Sequence, residues 1–229
     1  MRQQGSLRQR LEAAVMERHC VNHPLTDKWA EGKLSRNAMM GWGVEHWHWV
    51  SKMAAANFYI CANAPKDVIG MEMENFHEET GEERSHLDIV LRFARTDGAN
   101  IDEIKAGRGL PTTEAWTNWL LRVAREQHWV AGVAACRIGT ESQSPLLYGR
   151  LLPALRNIYR FTEEEIEHFW LHVDADTEHG GRAFDVLERH CTTPELQEMA
   201  IHYARESAKM RWFYFDGIYL HYETGYKLQ

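Results

Sequence analysis

Apolar residues recur along this chain at steps of three and four, the pattern of helices with one buried face, and alternating β-branched runs bounded by turns do not occur. Leu7, Leu11, Ala14 and Val15 fall on one side of a helix predicted from Ser6 to about His19. Asn22-His23-Pro24 ends it, because proline disfavours helix at the residue before it. A short amphipathic piece around Asp27 to Glu31 stops at Gly32, and Ser35 is a good N-cap for a long helix reaching about Ala62. Trp42 to Trp49 is large and apolar on several sides, as expected in the middle of a bundle. Pro65 opens a third helix, from about Lys66 to Arg95, and Thr96 to Pro111 reads as loop. A fourth helix starts at Thr112 or Thr113 and reaches the neighbourhood of Gly139, and a fifth covers about Pro145 to Tyr159. Thr162-Glu163-Glu164-Glu165 is a capping-box start for a sixth, with a bend expected at Gly180-Gly181. Thr193-Pro194-Glu195 opens the last, which carries Trp212 to Phe215 in its C-terminal half. Seven or so long helices with short connections predict an all-α bundle, one domain over residues 1–229.

Composition narrows the function classes. Charge is −7 and mixed throughout, with no basic stripe, so nucleic acid is excluded as a partner. No stretch approaches the roughly 18 apolar residues a membrane span needs, and the N-terminus carries no signal sequence; a soluble, cytoplasmic protein is expected. Cys20, Cys61, Cys136 and Cys191 are scattered without a C-x2-C pair, which disfavours disulfides and structural zinc and predicts reduced, buried thiols. Thirteen dispersed histidines are many for this length and require an explanation.

Part of it lies in the sixth helix. His172, Asp176 and His179 stand at i, i+4 and i+7, which puts three metal-competent side chains on one stripe. Two imidazoles and a carboxylate suit a non-haem iron site, although a polar surface stripe has the same spacing. The third helix adds Glu79 and His86, seven residues and nearly two turns apart, with Glu82 and Glu83 between them as a solvated acidic stripe. Glu141 lies at the junction of the fourth and fifth helices between small neighbours, Gly139 and Ser142. Three carboxylates and three imidazoles from separate helices fit two iron ions sharing carboxylate bridges.

The constellation Glu79 and His86, then Glu141 before an x3-Pro step, then His172, Asp176 and His179 resembles the haem-oxygenase-like diiron oxidases, which share a fold with PQQ-synthesis protein C, the TenA-type thiaminases and the CADD-type proteins. NHPLTDKWAEGKLS, EETGEERSHLDIVLRFA and YGRLLPAL extend the similarity along nearly the whole chain, and no ligand position is substituted. The resemblance implies those six residues as metal ligands, two iron ions per chain with the second site the more labile, and dioxygen as co-substrate. It also implies an electron donor for the iron and a small organic substrate undergoing oxidative C–C cleavage, desaturation or N-oxygenation. The aromatic content favours an amino-acid-derived or aromatic substrate, and a homodimer is left open.

Rival readings are a metal-independent quinone-forming oxidase or thiamine-related enzyme of the same fold, and a non-enzymatic helical interaction protein. The complete ligand set argues against the quinone-forming branch, and AACRIG around Cys136 does not match the thiaminase motif. No Lys lies between Glu141 and His172, against the self-sacrificing route of CADD-type proteins. Of the other histidines, His168, one turn before His172 on nearly the same stripe, reads either as a support for the ligands or, more often for such a residue, as one hydrogen-bonded at the surface; His46 and His48, pointing to different faces, read as satisfied core histidines, with a place for one of them on the substrate chamber as the alternative. Tyr214, Phe215 and Asp216 on the last helix are candidates to touch substrate, although an aromatic stripe at helical spacing is usually core.

Overall fold

The computed structural model describes residues 5–81, 85–96 and 98–228, with the side chains of residues 78, 79 and 174–180 outside that description. Every regular element among the described residues is helical: α1 (Leu7–Met16), α2 (Pro24–Ala30), α3 (Arg36–Cys61), α4 (Lys66–Thr80), α5 (His86–Thr96), α6 (Ile101–Ala106), α7 (Pro111–Glu126), α8 (Trp129–Val133), α9 (Ser144–Asn157), α10 (Glu167–His190) and α11 (Pro194–Ile218). Several starts follow directly from sequence. Ser6 and Gln9 form a reciprocal capping box, and Ser35 and Thr193 accept from Ala38 and Leu196.

Where the helices differ from expectation, a cap explains it. Pro24 opens α2 at its first turn, where its missing N–H costs nothing, with His23 as N-cap. The single helix expected from Lys66 to Arg95 is two. Gly81 leaves helical geometry with ψ 142°, and Ser85 starts α5 by accepting from the Asp88 amide and donating to its carboxylate. The argument that Glu79 and His86 share one helical face therefore fails, since they belong to consecutive helices; Glu82 and Glu83 lie outside the described residues. The loop before Pro111 holds α6, capped by Asn100. The fourth helix stops at Glu126, and His128 caps α8, which passes into a π turn (Ala134–Ile138) and a 3-10 turn (Glu141–Gln143) before α9. The Thr162–Glu165 box forms, but regular helix begins only at Glu167, and α10 is unbroken over Gly180-Gly181.

α3 lies centrally, packed on α4, α5 and α7; α10 packs on α9, and α11 on α1, α7 and the π turn. Trp29, Trp42, Phe93 and Phe169 meet at the centre, with Trp42 5.6 Å from Trp29, 5.7 Å from Phe93 and 5.0 Å from Phe169 between ring centres. This dry aromatic floor fixes where α3, α5 and α10 face one another. No helix among the described residues is long and apolar enough to cross a membrane.

Candidate metal centre and the polar interior beside it

Two of the six expected ligands meet in the bundle interior. His86, the first residue of α5, and His172, in the second turn of α10, are both buried, with ring centres 4.6 Å apart. His172 Nδ1 lies 2.7 Å from the carbonyl oxygen of His168, one turn earlier. A carbonyl only accepts, so Nδ1 holds the proton and the lone pair is on Nε2. Metal-ligating histidines are commonly held in this way, by a backbone acceptor that fixes tautomer and ring orientation. The donor chemistry at this point fits iron. Asp176 and His179 occupy the next positions of the same stripe of α10, and Glu79 is the penultimate residue of α4; their side chains lie outside the described residues. Among the described residues no group of three or more metal-competent side chains gathers.

Glu141 sits in the 3-10 turn that packs against α10, and Arg137 of the π turn donates to its carboxylate. Arg137 is itself buried, with Nε 3.2 Å from the Glu72 carboxylate and a further bond to Asn57 Oδ1. The two carboxylates hold the guanidinium well above its ordinary range against the opposing effect of burial. Glu72 of α4 is fully buried, so the cluster is a charged knot across α3, α4 and the π turn. Neither Glu72 nor Arg137 was expected. Their signal was Arg137 alone in the apolar run WVAGVAAC-R-IG, since a charge in such a run needs a buried partner.

The neighbouring histidines also differ from expectation. His168 is buried, not at the surface, with Nε2 3.3 Å from the Tyr148 hydroxyl and its ring 4.1 Å from His172. His46 stacks on Trp42 at 4.4 Å and meets His168 at 4.8 Å, but its Nδ1 has no partner, so it is a buried histidine left unsatisfied. Burial holds both rings well below the ordinary imidazole range, in the neutral form. His48, as expected, looks the other way, lining a surface pocket of about 490 Å³ with Val44 and Ile104. Tyr214 and Phe215 are core, and Asp216 is half-exposed and pairs with His23 at 3.1 Å. Cys20, Cys136 and Cys191 are buried and Cys61 only partly so. Burial pushes the Cys136 thiol up to about 12, the opposite of an activated nucleophile, which weighs against thiaminase-type chemistry.

Known proteins share this architecture. A TenA homologue from Pseudomonas syringae superposes with a TM-score of 0.81 over 93% of this chain and 92% of its own, at 14% identity. A domain with a haem-oxygenase-like fold from Shewanella denitrificans gives 0.76 over 94% and 91%, at 17% identity. The fold is therefore haem-oxygenase-like. In sequence, a 4-aminobenzoate synthase of Nitrosomonas europaea is 25% identical over 229 residues, covering 95% of this chain and 93% of its own length. A pyrroloquinoline-quinone synthase of Granulibacter bethesdensis is 23% identical over 217 residues, covering 93% and 84%. Residues 40–212 match the iron-containing redox enzyme family, and with well over half of the chain inside that match the protein belongs to this family.

Proposed function

We propose that this chain is a non-haem diiron oxidoreductase that uses dioxygen to transform a small organic molecule. The ligands are Glu79, Glu141 and Asp176 as carboxylates, with His86, His172 and His179 as nitrogen donors. The observation that carries the reading is the buried His86–His172 pair, with His172 held in one tautomer by the His168 carbonyl. When bound, iron supplies the one-electron and oxygen chemistry that no side chain can perform. The chain's own residues do the rest. The His168 carbonyl orients His172, Arg137 donates to Glu141 and holds its carboxylate in place, and the Trp42, Phe93 and Phe169 rings exclude water from that side. The neutral, buried His46 and His168 rings leave the site without extra positive charge that would repel a cation.

The partners in this reading are the substrate and an external electron donor, with a homodimer left open. The relatives' names, a 4-aminobenzoate synthase and a pyrroloquinoline-quinone synthase, support an aromatic or amino-acid-derived substrate. Oxygen uptake by the iron-reconstituted protein tests the activity. Uptake above that of free ferrous iron, rising with a productive amino acid or aromatic acid and lost in His86→Ala, is expected. Uptake equal to free iron, or unchanged in the variant, contradicts the reading.

A further inference from the structure

The side of α3 turned away from the metal centre carries its own buried histidine. His46 and His48 are two positions apart, so their side chains leave the helix in nearly opposite directions. His48 is 4% exposed, and Met40, Val44 and His48, at i, i+4 and i+8, form one wall of the pocket of about 490 Å³. The facing wall comes from Gly98 to Arg108, with α6 inside it. The Ser51 hydroxyl donates to the His48 carbonyl at 3.2 Å, but no hydrogen bond among the described residues reaches the His48 ring. Burial, with Lys52 adding to it, holds that ring below its ordinary range, in the neutral form with one nitrogen to donate and one to accept. A buried imidazole left to a cavity is the kind of polar group that fixes a ligand's orientation.

The pocket is built before any ligand arrives. Glu45 accepts from the Leu110 amide at 2.8 Å and the Thr113 hydroxyl at 2.6 Å, which fastens the end of the facing segment to α3. Ile104 packs with Leu91 and Ala94, and Val44, Trp47 and Ala99 close round them as an apolar floor. Two polar groups of the lining serve each other: Asn100 donates to Glu103 at 3.1 Å, and its Oδ1 accepts from the first amides of α6. Arg108 does not share in this. It borders both this pocket and the adjoining one of about 570 Å³, and no ion pair or hydrogen bond among the described residues holds its guanidinium. An exposed arginine alone is ordinary. Beside an unpaired buried imidazole and an apolar floor, it gives the pocket a positive end suited to a planar oxyanion. The Glu103 carboxylate in the same lining disfavours a second negative charge.

We propose that this pocket binds a small amphipathic monoanion, at a site separate from the metal centre. The anionic group pairs with Arg108, a polar atom meets His48, and a flat apolar body lies along Met40, Val44 and Ile104. The site does not involve iron, so it stands or falls apart from the diiron reading.

Trp47, whose ring centre lies 5.2 Å from that of His48, is a built-in reporter. Naphthalene-2-sulfonate and its uncharged sulfonamide are titrated into the full chain, free of iron, and binding is read by calorimetry and tryptophan emission. The sulfonate is expected to bind once per chain and at least about tenfold tighter than the sulfonamide, the size of one charge-assisted contact. Arg108→Gln is expected to remove that preference, and His48→Leu to weaken both probes at least about tenfold. Trp47→Phe should lose most of the emission change. Met40→Trp fills the pocket and leaves both polar groups in place, and is expected to abolish binding with the thermal midpoint near that of the wild type. His86→Ala should bind both probes as the wild type does. The proposal is overturned if the sulfonate binds no better than the sulfonamide, or if Arg108→Gln keeps the preference. It is equally overturned if Met40→Trp binds as tightly as the wild type, or if the emission change survives in Trp47→Phe. Loss of binding in His86→Ala would place the anion at the metal centre and overturn it too. If His48→Leu does not fold, Arg108→Gln and Met40→Trp still decide.

Discussion

Histidine in this protein caps helices as well as lining the interior. His19, His23 and His128 each accept a backbone N–H at Nδ1, from Val21 at 3.0 Å, Leu25 at 3.0 Å and Val130 at 3.3 Å. An accepting Nδ1 requires the neutral ring, so protonation removes the cap. At His19 burial, with Arg211 adding to it, lowers the ring from 6.5 to about 4. The unfolded chain therefore binds a proton at His19 that the folded chain refuses between those values. Stability from this residue is complete above pH 6.5 and is lost as pH falls from there toward about 4, by up to roughly 3 kcal/mol. Thermal midpoints taken from pH 7.5 down to 5 should fall less steeply in His19→Asn, which keeps a side-chain acceptor but does not titrate. Equal slopes would show that His19 is not the source.

At the scale of elements, the charged knot of Arg137, Glu72 and Glu141 ties the π turn to α4. Arg137→Met leaves the fully buried Glu72 without its cation and should cost about 3–5 kcal/mol in a denaturant unfolding curve. Adding Glu72→Leu to that variant should recover more than half of the loss, because the unpaired charge is removed with its partner. No recovery would mean the two side chains act independently. The α11–α7 contact depends on a missing side chain. A Cβ on Gly217 would sit 1.8 Å from Thr112 Oγ1, so Gly217→Ala should destabilise by about 3 kcal/mol unless the helices move apart.

For the whole molecule, the bundle was legible because helix periodicity and caps are local. Ser6, Ser35, Thr193 and the prolines at helix starts marked the ends where the chain turns. The split between α4 and α5 was legible too, in Gly81 and the Ser85–Asp88 cap, but the strong apolar pattern on both sides masked it. Of the candidate site, His86 and His172 lie side by side, a grouping that the family resemblance supplied and helical spacing could not. What local pattern could not yield is pairing across helices: Arg137 with Glu72, His168 with Tyr148, and Arg211 with no ion pair among the described residues. A partial trace of the last was present. Ser207, Arg211, Tyr214 and Ile218 share the buried side of α11, and an arginine in such a stripe marks a buried partner, here the Thr140 carbonyl.

The central claim is that His172 belongs to a site that holds iron. Its most direct measurement is an anaerobic titration of ferrous iron into metal-free protein, read as iron retained per chain after desalting. The account predicts about two equivalents for the wild type and loss of at least one in His172→Ala, with the helical circular-dichroism signal unchanged. A wild type that retains no iron, or a His172→Ala protein that retains as much as the wild type, would contradict it.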